Sequence, residues 1–117
     1  MPVPGGDVTT PLYQLKAEFF KTLGHPARVR ILEVLVQGEH SVAQLLPLVG
    51  IESSHLSQQL GVLRRAGVVV SRKNGNSVIY SLASPDIAEL MAVARKVLTG
   101  VLNEQVGLLK DLRANSR

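Results

Sequence analysis

The sequence predicts one mainly α-helical domain carrying a small β-hairpin. Hydrophobic residues make up 45% of the 117 but aromatics only 3%. The core is therefore Leu, Val, Ile and Ala, a composition that favours helix packing over a β-sandwich. Helical spacing of apolar residues recurs from residue 12 onward. It is interrupted once, where Val68–Arg72 and Ser77–Leu82 flank Lys73-Asn74-Gly75-Asn76. Asn-Gly suits a two-residue hairpin turn because both residues accept positive φ. A chain of this length forms a single domain. The expected layout is a tail over 1–11, rich in Pro, Gly and Thr, a domain over 12–113 and a short tail over 114–117.

The first helix is expected over Leu12–Leu23. Leu12, Leu15, Phe19 and Leu23 fall at helical spacing, with Lys16, Glu18 and Lys21 off that line, and Gly24 is expected to end it in a left-handed conformation. A helix this short is marginal without something to pack on, so its apolar side belongs either to the core or to a second subunit. His25-Pro26 starts the next helix, since proline suits the first helical position. Ile31, Leu32 and Leu35 face its core side and Gly38 stops it. Arg28 and Arg30 are placed on the other side, either solvated, with Arg30 pairing with Glu33, or contacting phosphate.

Ser41-Val-Ala-Gln44 is a capping box. Pro47 disfavours the helix interior, so this short helix is expected to bend or to start late. Gly50-Ile51-Glu52 turns the chain, and Ser53 is the expected N-cap of a helix over 53–66. At 100° per residue, Leu56, Leu60 and Leu63 form its buried stripe. The opposite face carries Ser54, Gln58, Gly61 and Arg65, flanked by His55 and Ser57. Two short helices joined by a tight turn and followed by a hairpin form a helix-turn-helix with a wing. The turn expected at Asn74-Gly75 sets Ser71 opposite Val78 and Val69 opposite Tyr80, with Val69, Val78, Tyr80 and Leu82 facing inward.

Ser84-Pro85-Asp86 then opens the last helix, 85–113, with an N-cap, a first-position proline and an acid at the positive end of the helix dipole. Ile87, Met91, Ala94, Leu98, Val101, Gln105, Leu108 and Leu112 form a heptad-like seam. Leu90, Val97, Leu102, Val106 and Leu109 form a second apolar line. A helix apolar on two sides must be covered on two sides, and a second copy of the chain is the simplest cover. The expected homodimer interface comprises Leu12, Leu15, Phe19, Met91, Leu98, Val101, Gln105, Leu108 and Leu112.

Charge singles out one stretch. Of 13 Lys and Arg against 9 Asp and Glu, Ser53–Leu82 holds four bases, Arg64, Arg65, Arg72 and Lys73, and no acid. The entire formal charge of +4 therefore sits there. An acid-free helix joined to a basic hairpin suits approach to a polyphosphate. The helix presents short donors and acceptors suited to base edges rather than a Glu–Lys ladder. Ser54, His55, Ser57 and Gln58 are the base-reading candidates. Ser53, Gln59, Arg64, Arg65, Arg72 and Lys73 are the phosphate candidates, with no acid expected near the hairpin to balance Arg72. Gly61 costs about 1 kcal/mol relative to Ala in a helix, and a close approach at its backbone would explain it.

Other classes find little support. With no Cys, disulfides, thiolate metal sites and thiol redox sensing are excluded. His25, His40 and His55 are scattered, so no metal site and no cofactor are expected. No triad, carboxylate pair or phosphate loop points to an enzyme. No membrane span or signal pattern is seen, and the last helix balances its bases with acids, unlike a membrane-surface helix. The expected location is cytoplasmic.

The motifs L-G-H-P-x-R-x-x-I-L-x-x-L over Leu23–Leu35, S-x-x-L over Ser57–Leu60, L-R-R-A-G-V-V over Leu63–Val69 and R-x-x-G-x-x-x-x-Y-x-L over Arg72–Leu82 resemble the ArsR/SmtB family of bacterial transcriptional repressors. The resemblance spans roughly residues 12–112. It implies a homodimeric winged helix-turn-helix, joined through its first and last helices, that leaves its operator when an inducer binds. Metal-sensing members carry a cysteine box where this chain has Ser41-Val42-Ala43. Others use Asp and His along the last helix, where this chain keeps Asp86 but has no His after Tyr80. The position before Leu60, commonly His in the family, is Gln59.

The leading expectation is a homodimeric, sequence-specific regulator of transcription, a repressor, on double-stranded DNA. It would bind an inverted repeat through helix 53–66 and wing 68–82. The alternative is a winged-helix module that docks other proteins. Three means of release stay open: a small-molecule effector between the first and last helices, a metal held without thiolates, or none.

Overall fold

The computed structural model describes residues 9–115. Residues 1–8 of the tail expected over 1–11, and 116–117 of the tail expected over 114–117, lie outside the described residues, while 114–115 continue the last helix. The elements run α1 (Leu12–Leu23), α2 (Pro26–Val36), β1 (His40–Ser41), α3 (Val42–Val49), α4 (Ser53–Arg65), β2 (Val69–Asn74), β3 (Ser77–Leu82) and α5 (Pro85–Asn115).

Most helix starts follow their local chemistry. The His25 side chain accepts from the Ala27 amide, and Pro26 follows in the first turn of α2. Ser41 and Gln44 complete the capping box of α3 through bonds of 3.1 and 2.8 Å. That helix begins directly at its cap and runs through Pro47. Gly50 closes it with φ 77 and ψ 33, the left-handed conformation that costs glycine nothing. Ser84 caps α5 through the Asp86 amide at 3.1 Å. Two expectations fail by small margins. Glu52, not Ser53, is the N-cap of α4, and no side chain bonds there. Gly24 keeps φ −79, because the chain re-enters helix at once through an extended His25.

The core lies where α2, α3, α4 and the hairpin meet. Ile31, Leu32, Leu45, Leu56 and Leu63 are fully buried there, with Val68 and Val69 closing the hairpin end. Leu56, Leu60 and Leu63 are the stripe expected of α4. From α1 only Leu23 is buried, and α5 joins the core through Ile87, with Leu90 and Met91 packed against it.

The sheet is antiparallel in the order β1-β3-β2. Its β1 strand is an addition to the expected hairpin: His40 pairs with Tyr80, and Ser41 with Ile79. The hairpin register also differs from expectation. Asn74 pairs with Ser77, Ser71 with Tyr80, and Val69 with Leu82. The turn is therefore Gly75-Asn76. Only Gly75 takes positive φ, at 64, the pattern of a turn with glycine at its first central position. The shift is by two residues, so every side chain keeps its face, and Val69 and Tyr80 remain inward and buried.

Candidate nucleic-acid interface

The outer side of α4 is a polar, acid-free surface. Ser53, Ser54, Ser57 and Gln58 are exposed, and His55 is half-buried. Leu56, Leu60 and Leu63 anchor the opposite side in the core, so this face cannot turn inward without exposing three leucines. Arg64 and Arg65 occupy the last turn and are exposed. A Cβ at Gly61 would meet nothing nearer than the Arg65 guanidinium, at 3.2 Å, the far end of an exposed side chain that can move aside.

Lys73 stands exposed beside the hairpin tip. Arg72 is not the isolated cation expected there. It donates to both oxygens of Glu39, at 2.7 and 3.0 Å. The hydrogen bonds from Arg72 hold the Glu39 carboxyl below the usual carboxylate range; slight desolvation opposes them and coulombic attraction adds to them. Glu39 in turn raises Arg72. The acid lies outside Ser53–Leu82, yet the sheet brings it alongside, since it precedes β1 and β1 pairs with β3. Arg72 pairs with Ile79, and Ile79 with Ser41. The ion pair therefore spans all three strands from edge to edge.

Gln59 also departs from expectation. It is 5% exposed, and its Oε1 accepts from Arg28 Nε at 2.7 Å. Its side chain is held inward, away from any phosphate. The helical wheel contained this signal: Gln59 lies about 60° from Leu56 and about 40° from Leu63, on the buried side despite its polarity. Arg28 was likewise misplaced, because it lies only about 20° from Leu35 and thus faces α4. Its Nη1 donates to the Thr22 carbonyl at 3.1 Å. The bridge from α1 to α4 through Arg28 joins residues that no local pattern links.

Along α5 the seam expected to meet a partner is bare in the single chain. Leu98, Leu108 and Leu112 are 60%, 61% and 56% exposed, and Val101 and Gln105 are exposed beside them. Leu12 is exposed on α1, whereas Leu15, Phe19 and Met91 are half-buried. An open groove of about 850 Å³ runs between α1, α2 and α5, floored by Leu23, Val29 and Met91. Among the described residues no three His, Cys, Asp or Glu side chains gather where a metal ion could be held, and no helix is long and apolar enough to cross a membrane.

This architecture has known counterparts. Residues 25–71 match the profile of the bacterial regulatory protein arsR family. The HTH-type transcriptional regulator Rv0081 of Mycobacterium tuberculosis is 70% identical over 105 residues, covering 89% of this chain and 92% of that protein. Its crystal structure superposes with a TM-score of 0.78 at 69% identity, over 84% of this chain and 99% of that one. The transcriptional repressor BigR of Xylella fastidiosa superposes with a TM-score of 0.66 at 40% identity, over 70% of this chain and 84% of that one. A homodimeric winged helix-turn-helix DNA-binding domain from Mycobacterium bovis gives 0.73 at 30% identity, over 80% of this chain and 86% of that one. The hairpin packed behind an outward-facing α4 is the wing of a winged helix-turn-helix, and the chain belongs to the arsR family of bacterial regulatory proteins.

Proposed function

We propose that the protein is a homodimeric transcriptional repressor that binds an inverted repeat in double-stranded DNA. The observation that carries this is the face of α4: anchored by buried leucines, free of acids and lined by short polar groups. Ser54, Ser57 and Gln58 read base edges in the major groove, beside a half-buried His55 packed against His25, while Ser53, Arg64, Arg65 and Lys73 hold phosphates. Arg72 contributes at the wing once it exchanges Glu39 for a phosphate. Gln59 supports the helix from within.

Dimerisation is supported by the bare seam of α5 and by the homodimeric relative. The interface comprises Leu12, Leu15 and Phe19 of α1 with Met91, Leu98, Val101, Gln105, Leu108 and Leu112 of α5. Two-fold symmetry then sets the half-sites about 10 base pairs apart, or a multiple of that. Of the three means of release, a small organic effector has an apolar groove to enter between α1, α2 and α5, one that shares Met91 and Leu98 with the proposed interface. Selection of bound duplexes from a random-sequence library, followed by footprinting, tests the proposal. An inverted repeat with that spacing is expected, and a preference for no sequence overturns it.

A further inference from the structure

The corner between α1 and α2 grips the reading helix at two points. His25, the N-cap of α2, packs its ring edge-on against His55, with centroids 6.2 Å apart and planes at 78°. One turn along, Arg28 donates from Nε to Gln59 at 2.7 Å. His55 and Gln59 are four residues apart and so share one side of α4. The same guanidinium donates from Nη1 to the Thr22 carbonyl at 3.1 Å. That carbonyl is in the last turn of α1, where helical carbonyls lack intrahelical donors and a cation is favoured. One side chain thus ties the end of a proposed interface helix to the helix proposed to read DNA.

A stripe of leucines fixes which side of a helix is buried, but apolar packing specifies a unique arrangement less sharply than it confers stability. A fork of two directed hydrogen bonds does not slide. Gln59 is also next to Gln58, so a rotation that breaks its bond re-aims the base-reading side chains.

We propose that Arg28 is a positioning residue for base reading: through Gln59 it sets the rotation of α4 from the end of α1, and so fixes how the two reading helices of a dimer are presented. This inference rests on the DNA-reading proposal above.

The test compares Arg28→Met, Arg28→Lys and Gln59→Met with wild type on the duplex selected from the random library and on a scrambled duplex of equal length. Binding is titrated over several salt concentrations, and melting and sedimentation are followed in parallel. The Met variants are expected to lose about tenfold in affinity for the selected duplex, the scale of a hydrogen bond to a charged group. Affinity for the scrambled duplex, the salt slope and the dimer mass stay unchanged. Arg28→Lys, a point charge without the fork, restores only part of the loss, and combining Arg28→Met with Gln59→Met costs no more than either alone.

Equal weakening on both duplexes with a flatter salt slope overturns the inference, since Arg28 then acts as a phosphate contact. Folded Arg28→Lys and Gln59→Met proteins with wild-type preference for the selected duplex overturn it too, even where Arg28→Met does not fold. A wild-type protein that selects no sequence overturns the DNA-reading proposal and this inference with it. A wild-type protein that selects one, with variants that select it equally well, overturns this inference alone.

Discussion

Arg72 and Glu39, thirty-three residues apart in sequence, form a two-pronged ion pair across the three-stranded sheet, at 2.7 and 3.0 Å. Both side chains are 54% exposed, so a phosphate can compete for the same guanidinium. The pair has two consequences. It laces β2 to the segment before β1, and under the proposed function it withholds one wing cation until DNA displaces the acid.

Glu39→Gln is therefore expected to tighten binding to selected and scrambled duplexes alike, by roughly twofold to fivefold at low salt, the modest scale of exposed ion pairs. The gain fades as salt rises. A fluorescence-anisotropy titration at several salt concentrations measures it. Weaker binding by the variant is the opposite sign and means that Glu39 presents Arg72 to DNA rather than withholding it.

The same pair sets a pH dependence. Glu39 titrates below the ordinary carboxylate range when folded. Its contribution to stability is present in full above the unfolded carboxylate value and is lost as the pH falls through the lower, folded one. Arg72 stays charged throughout. Wild type is thus expected to melt slightly above Glu39→Gln at neutral pH. The difference should close below the carboxylate range, as read by thermal melts across pH.

Phosphate contacts and base contacts separate by their salt behaviour. Arg72→Ala with Lys73→Ala is expected to weaken all duplexes similarly and to flatten the dependence of affinity on salt. Gln58→Ala is expected to keep the salt slope and relax the preferred sequence, by about 1–3 kcal/mol at the base pair concerned. Selection repeated with each variant shows both effects.

Leu98→Glu and Leu108→Glu place charges on the bare seam of α5. Sedimentation is expected to give the monomer mass for these variants and the dimer mass for wild type. Affinity for the selected inverted repeat should fall much further than affinity for a scrambled duplex. A variant that stays dimeric moves the interface elsewhere.

Leu56 is fully buried behind the proposed reading face. Leu56→Ala is expected to cost about 2–5 kcal/mol of stability, the range for truncating a core leucine, as measured by urea denaturation.

The sequence by itself determined the elements and their faces. The capping box at Ser41, the Ser84-Pro85 start, the leucine stripe of α4 and the inward Val69 and Tyr80 are all set by near neighbours, and periodicity reports them directly. The polar face of α4 was legible for the same reason. The tertiary structure alone decided how those faces meet. Glu39 reaches Arg72, and Arg28 joins Gln59 to Thr22, because the sheet and the α1–α2 corner carry distant residues together. β1 is two residues long, too short to show a period. The hairpin register could not be told from one displaced by two residues, since alternation is identical in both. Periodicity tells which way a side chain points; only the closed fold tells which partner waits there.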